Sequence, residues 1–255
     1  MSIEKYKLNE NSNVKKVIAI LSGKGGVGKS FVTSMIANRL AKKGLKVGIL
    51  DADIIGPSIP KGYGITEKAY SDGKNINPPL SENGIKIVSV NLILDDPTQP
   101  VLWRGPIVNS AIAQFYQNCN WGELDYLLVD MPPGTGDVAL TVFQSMPIDG
   151  VVIVTSPQNL VSMIVEKAVN MAKLLKIPLL GLVENMSYLQ CTNCEEKISI
   201  YGPSKAKQES ERLGIKTYIQ LPLNPKYAET IDNGKAHEIE IEEMNDFVDE
   251  SITLN

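Results

Sequence analysis

Short runs of apolar, largely β-branched residues alternate along the chain with longer stretches in which apolar positions recur every three or four residues. The first pattern predicts buried strands and the second predicts helices lying on them. Residues 17–21 read as a first strand that runs into the glycine-rich residues 22–28. A helix is expected over 29–43, with Val32, Ile36 and Leu40 on one face and Gly44 placed to cap its end. Further strands are expected at 46–50, 85–94, 126–130, 150–155, 179–184 and 218–221. Further helices are expected at 106–117, 159–176 and 238–252, the last of them acidic.

Strand alternating with helix implies parallel pairing through right-handed crossovers, in a sheet covered on both faces. The expected fold class is therefore α/β, with a mostly parallel β-sheet and helices on both faces. Ligands of such folds bind beyond the carboxyl ends of the strands, which is where the polar motifs of this chain fall. The stretch 54–83, rich in glycine and proline, reads as a long functional loop rather than a domain boundary. Residues 1–15 read as an N-terminal extension, and 16–255 as one domain carrying a cysteine segment near 186–200.

Composition narrows the classes. At 255 residues, 43% hydrophobic and 21% charged, the chain can bury a core without disulfide staples. Its longest apolar runs, such as 150–155 and 179–183, are too short to cross a bilayer, so no membrane partner is expected. Residues 1–16 are polar and of mixed charge, unlike a signal peptide, and a cytoplasmic protein is expected. A net charge of −4 argues against a nucleic-acid partner. Three cysteines in such a chain read as free thiols or metal ligands.

Gly23, Lys24, Gly25, Gly26, Val27, Gly28, Lys29 and Ser30 fit the phosphate-loop pattern of a P-loop NTPase. Its glycines let backbone N–H groups turn toward phosphate oxygens, and the helix that follows adds its positive end. Lys29 is placed to reach the β- and γ-phosphates, and the Ser30 hydroxyl to ligate magnesium. An ATPase is expected on this pattern. Lys24 reads either as a solvated lysine or as a second cation for the site.

Acids follow two strands. Asp51 and Asp53 stand where the 46–50 strand ends, as carboxylates for a metal shell and an attacking water or as a simple turn. Asp130 closes an apolar strand, the pattern of a magnesium-supporting carboxylate. After it, prolines stiffen the entry to a loop in which Gly134 and Gly136 permit close approach to a γ-phosphate and movement on hydrolysis.

Cys191 and Cys194 are spaced so that both sulfurs can turn to one metal or cluster, although redox exchange has the same spacing. One chain supplies two such ligands where a closed zinc or cubane site needs four. A homodimer solves that count across a two-fold axis. Cys119 has no partner nearby in sequence and reads as packing.

The loop Lys24-Gly25-Gly26-Val27-Gly28-Lys29-Ser30 resembles the deviant phosphate loop of the dimeric ATPases that include MinD, ParA and the nitrogenase iron protein. That resemblance implies that Lys24 crosses a dimer interface to the partner's nucleotide. It also implies that Asp53 positions water, that Asp51 helps around the metal, and that Asn185 hydrogen-bonds adenine.

The match is closer to one family. The phosphate loop, Leu50-Asp51-Ala52-Asp53-Ile54-Ile55-Gly56-Pro57-Ser58-Ile59-Pro60, Asp130-Met131-Pro132-Pro133-Gly134-Thr135-Gly136-Asp137 and Glu184-Asn185-Met186-Ser187-Tyr188 precede the cysteine pair in that order. Together they resemble the Mrp (ApbC) family of iron–sulfur cluster carriers. The resemblance implies a slow, dimer-dependent ATPase using ATP and Mg2+, with a 4Fe–4S cluster bridging two subunits and delivered to apo iron–sulfur proteins. Thr192 stands where that family usually has proline, and Glu195 near where it often has glycine, so loop stiffness and cluster lability differ here. Two rivals share the loop. One is a MinD/ParA-like positioning ATPase acting on membrane or DNA, which the acidic C-terminal segment disfavours. The other is an electron-transferring reductase, which would want two further, widely separated cysteines per dimer.

Overall fold

The computed structural model describes residues 5–253, apart from 54–57, 72, 90–91, 93–104, 135, 159–162 and 192. In chain order the elements are β1 (Ser12–Ser22), α1 (Lys29–Lys42), β2 (Val47–Asp51), α2 (Ile59–Gly62), β3 (Tyr70–Ser71), β4 (Ile76–Asn77) and β5 (Lys86–Ser89). Then come α3 (Gly105–Asn118), β6 (Gly122–Asp130), α4 (Asp137–Ser145), β7 (Gly150–Thr155) and α5 (Met163–Leu174). The last are β8 (Leu179–Gln190), β9 (Lys197–Ile198), α6 (Ala206–Leu213), β10 (Tyr218–Pro222), α7 (Pro225–Asp232) and α8 (Glu242–Ser251).

Seven strands pair in the order β10-β8-β7-β1-β6-β2-β5, every pair parallel, while β9 folds back antiparallel on β8. Alternate residues of β1 explain the layers. Val17, Ala19 and Leu21 face one core with Ile112 and Phe115 of α3, Val142 and Phe143 of α4, and Val169 of α5. Ile18 and Ile20 face the other with Val32, Ile36 and Leu40 of α1 and Phe247 and Val248 of α8. This is the expected α/β P-loop architecture, with helices on both faces. From central β1 the chain passes β6 to reach β2, and later returns to the opposite side as β7. The order reverses beside β1, which opens a crevice at its carboxyl end.

Several elements differ from expectation for identifiable reasons. β1 starts at Ser12 rather than Val17, because its polar first half pairs with Gly122–Leu124 at the start of β6. Ahead of it, Tyr6 and Leu8 rest on the core, and Lys5 Nζ donates to the carbonyls of Phe143 and Met146 at 3.0 and 2.8 Å. The expected 85–94 strand and the first turn of the 159–176 helix fall partly outside the described residues. Helix α4 was not expected; nine residues after a Pro-Gly loop give too little periodicity to read. Nor was α7, eight residues long, which sets only Tyr227 and Ile231 against the core, too few positions to show a period. Within the long loop lie α2 and the β3–β4 hairpin. The acidic C-terminal helix begins at Glu242 rather than 238, since Ala236–Glu238 form a single 3-10 turn.

Helix α8 crosses β8 where Gly181 leaves room for an aromatic ring. A Cβ at residue 181 would lie 2.3 Å from Phe247 Cε2 and 3.1 Å from the Thr217 carbonyl oxygen. Gly181→Ala is therefore expected to destabilise the fold by about 1–3 kcal/mol through overpacking. Urea denaturation measures this, and an unchanged midpoint would show that the ring is free to withdraw.

Candidate nucleotide site and cysteine hairpin

The turn between β1 and α1 forms the cradle. Gly26 and Gly28 take φ values of +83° and +80°, the left-handed region in which other residues are strained. Gly28 also lies against Asn185 of β8: a Cβ there would be 2.1 Å from Asn185 Nδ2. That amide donates to the Val27 carbonyl at 3.0 Å, tying β8 to the loop. Gly23 and Val27 are buried, whereas Lys24, Gly25 and Gly26 are exposed. Lys24 pairs with no carboxylate among the described residues.

Lys29 is only 6% exposed, and its Nζ lies 2.8 Å from Asp130 Oδ1 and 3.8 Å from Asp53 Oδ2. These are ion-pair contacts; no acceptor among the described residues is aligned for a hydrogen bond from this ammonium. Strand register sets Asp130, at the end of β6, beside Asp51, at the end of β2. Asp130 accepts from Ser30 Oγ at 2.6 Å and Thr33 Oγ1 at 2.8 Å. Asp51 accepts the Asp53 N–H through Oδ1 at 3.2 Å, and its buried Oδ2 has no hydrogen-bond partner among the described residues. Burial first, then the neighbouring Asp130 carboxylate, pushes the Asp51 carboxyl well above the usual carboxylate range.

Lys29, Ser30 and Asp53 line a cavity of about 420 Å³, and Asp130, bonded to Ser30 and paired with Lys29, stands behind them beside Asp51. Its other lining includes Phe31, Ser34, Ile59, Gly62 and Ile231, with Pro133 at the rim. Gly134, at φ +90°, donates its N–H to the Ser22 carbonyl at 2.8 Å and so holds the β6–α4 loop against the phosphate loop. The ammonium and the N–H cradle suit a polyphosphate, and the Ser30–Asp130 pair suits a divalent cation. Motif reading missed Thr33 and the apolar wall. For Thr33 a signal existed, since a hydroxyl three residues after Ser30 shares its helix face. Residues such as Phe31 and Ile231 carry no such mark.

The cysteine pair lies elsewhere. β8 runs past Glu184 to Gln190, and Cys191–Cys194 occupy the turn into β9. The turn is closed by Cys191 N–H to the Glu196 carbonyl at 2.9 Å and Glu195 N–H to the Cys191 carbonyl at 3.0 Å, with Glu195 at φ +60°. Cys191 is half-buried and Cys194 exposed. Backbone N–H groups of Asn193 and Cys194, then the Cys194 side chain, hold the Cys191 thiol below its ordinary range. Cys119 is the opposite case, buried in the core with burial pushing its thiol up. Thr192 lies outside the described residues. Among those residues, no three His, Cys, Asp or Glu side chains gather to hold a metal ion. No helix among them is long and apolar enough to cross a membrane.

A parallel sheet with this loop, these acids and this strand order defines a P-loop NTPase of the MinD/ParA superfamily. The comparisons with known proteins narrow it. The family model described as NUBPL iron-transfer P-loop NTPase matches residues 13–252. The chain belongs to that family, the Mrp/ApbC-like iron–sulfur cluster carrier ATPases. It is 47% identical over 241 residues to an iron–sulfur cluster carrier protein of Clostridium perfringens, covering 91% of this chain and 84% of that one. It is 42% identical to the iron–sulfur cluster transfer protein NUBPL of Dictyostelium discoideum, over 87% of this chain and 69% of that one. Among solved structures it resembles an ADP-bound nucleotide-binding protein of Archaeoglobus fulgidus. The TM-score is 0.83 at 40% identity, covering 94% of this chain and 93% of that one. The cell division ATPase MinD of Pyrococcus furiosus, at 17% identity and TM-score 0.64 over 92% of this chain and 98% of that one, shares the fold.

Thr33 offers a test of how tightly Asp130 is held. Thr33→Val keeps the shape and removes one donor from a fully buried carboxylate. A loss of about 1.5–3 kcal/mol is expected by chemical denaturation. A loss below a few tenths would mean that Lys29 and Ser30 suffice.

Proposed function

We propose that this protein is an ATP-binding and ATP-hydrolysing carrier that holds a 4Fe–4S cluster between two copies of the chain and transfers it to apo iron–sulfur proteins. The observation that carries the reading is the cysteine turn: two accessible thiols, one of them acidified, on a chain of the iron–sulfur carrier family. Two thiolates per chain become four in a homodimer. Ile198, Ile200 and Tyr201, exposed just beyond the turn, supply an apolar rim for a second copy to cover. Free thiols suit a reducing compartment, and the cytoplasm is the proposed location.

In the nucleotide site, Lys29 and the N–H groups of residues 23–30 bind the phosphates, while Ser30 and Asp130 hold magnesium and Asp51 supports them. Magnesium, when bound, offsets charge on the phosphate oxygens. Asp53, beside Lys29, orients the attacking water, and Gly134 brings its loop to the γ-phosphate. Asn185, on β8 behind the phosphate loop, is assigned to the adenine. Lys24, exposed and unpaired, is free to reach the partner's nucleotide, so turnover depends on dimerisation. A MinD-like membrane role is not favoured: α8 buries Met244, Phe247 and Val248 and is tied to α1 through Asp249 and Arg39. No membrane or nucleic-acid partner is proposed.

Anaerobic incubation with iron and sulfide is expected to give brown protein with broad visible absorption, shared between two chains. Cys191→Ala with Cys194→Ala should lose that absorption, and equal iron uptake by the double variant would sink the carrier reading. For the ATPase, Lys29→Ala should lose nucleotide binding, whereas Asp53→Ala should keep it and slow turnover by on the order of 100-fold. Lys24→Ala should bind ATP normally yet lose the rise of turnover with protein concentration. Wild-type turnover in either acid or lysine variant removes the role assigned to it.

A further inference from the structure

The nucleotide cavity and the cysteine turn share a wall. Beside Cys191 lies a second cavity of about 630 Å³, walled by Pro225, Lys226 and Tyr227 in the first turn of α7. The last turn of the same helix supplies Ile231 to the nucleotide cavity. Across the gap, the rings of Tyr227 and Phe31 stack with centroids 5.7 Å apart and planes at 23°. Phe31 lines the nucleotide cavity and directly follows Ser30, whose hydroxyl bonds Asp130. Whatever re-seats Ser30 therefore moves the residue on which Tyr227 leans.

Helix α7 is suited to follow. None of its residues is buried. It is held by the Asn224 side chain, which accepts the Lys226 N–H at 3.0 Å, by the Phe31 stack, by Ile231 against Gly62, and by the partly buried side chains of Tyr227 and Ile231 resting on the core. A surface helix with only these two apolar side chains on the core tilts at less cost in packing than a paired strand does. The alternative route, β8, carries both Asn185 and Cys191 but is fixed by pairing with β7 as far as Glu184 and with β10 as far as Tyr188. The compliant link is α7.

We propose that Tyr227 is a positioning residue coupling the two sites: the Phe31–Tyr227 stack carries a shift in the first turn of α1 into α7, which resets the wall beside Cys191. This rests on the first cavity being the nucleotide site, and it adds the link by which occupancy there is felt at the thiols. Because coupling between sites is reciprocal, a group bound at the thiols alters nucleotide affinity through the same helix.

The test is the rate at which iodoacetamide alkylates Cys191 in the full chain, read by peptide mass spectrometry, with and without magnesium and a non-hydrolysable ATP analogue. The wild-type rate is expected to change by about fivefold or more. In Tyr227→Ala the change should fall below about twofold while analogue affinity holds. Tyr227→Phe, which keeps the stack, should respond as wild type. An unchanged wild-type rate with analogue bound overturns the proposal, and so does a wild-type response in Tyr227→Ala. Loss of analogue binding in Tyr227→Ala overturns it as well, since the stack would then be part of the nucleotide site. A wild-type chain that binds no analogue fails the nucleotide reading itself, whereas the cluster reading stands or falls on reconstitution.

Discussion

The buried contact between Lys29 and Asp130 is the constraint on which the site depends. Burying an ammonium or a carboxylate alone costs several kcal/mol, so each requires the other, and Asp130 needs the hydroxyls of Ser30 and Thr33 besides. These partners sit on β6 and on the first turn of α1. The contact therefore fixes how the helix after the phosphate loop meets the sheet. Asp51, set beside Asp130 by strand register, is a further carboxyl whose ionised form burial and the neighbouring carboxylate disfavour. A divalent cation beside these acids would favour the ionised form of Asp51, which gives the site a reason to take one up.

Geometry separates the chemistry of the phosphate end from that of the thiols. The nucleotide residues converge from the ends of β1, β2 and β6, the central strands of the sheet. The cysteines stand at the tip of a hairpin that prolongs β8 beyond the sheet, where two thiols remain accessible to a second molecule. A carrier needs both properties. Its energy source must be enclosed, and its cargo must be open to exchange.

Much of this was legible in the sequence because it depends on local rules. Gly26, Gly28, Lys29 and Ser30 announce the loop through backbone freedom and spacing, and Asp130 announces itself as an acid closing an apolar strand. The order of apolar runs gave the parallel sheet, and the unbroken apolar stretches of β7 and of the second half of β1 made those strands plain. What stayed hidden lacks a periodic or chemical mark. Helix α7 offers only Tyr227 and Ile231 to the core, and Phe31 and Ile231 are apolar residues whose place in a cavity wall is decided by elements distant in sequence. β1 began earlier than read because its first residues, half exposed, are strand by pairing and not by burial. The closeness of Asn185 to Gly28 was likewise invisible, since only the crossing of β8 behind the loop brings them together.

That last contact limits how such a protein can change over time. Any side chain at residue 28 would occupy the space of the Asn185 amide, so a substitution there is blocked until residue 185 has shrunk or moved. Losing Asn185 first would in turn strip the Val27 carbonyl of its donor. Positions 28 and 185, far apart in the chain, are thus sterically bound to one another, and a change at either calls for an adjustment at the other.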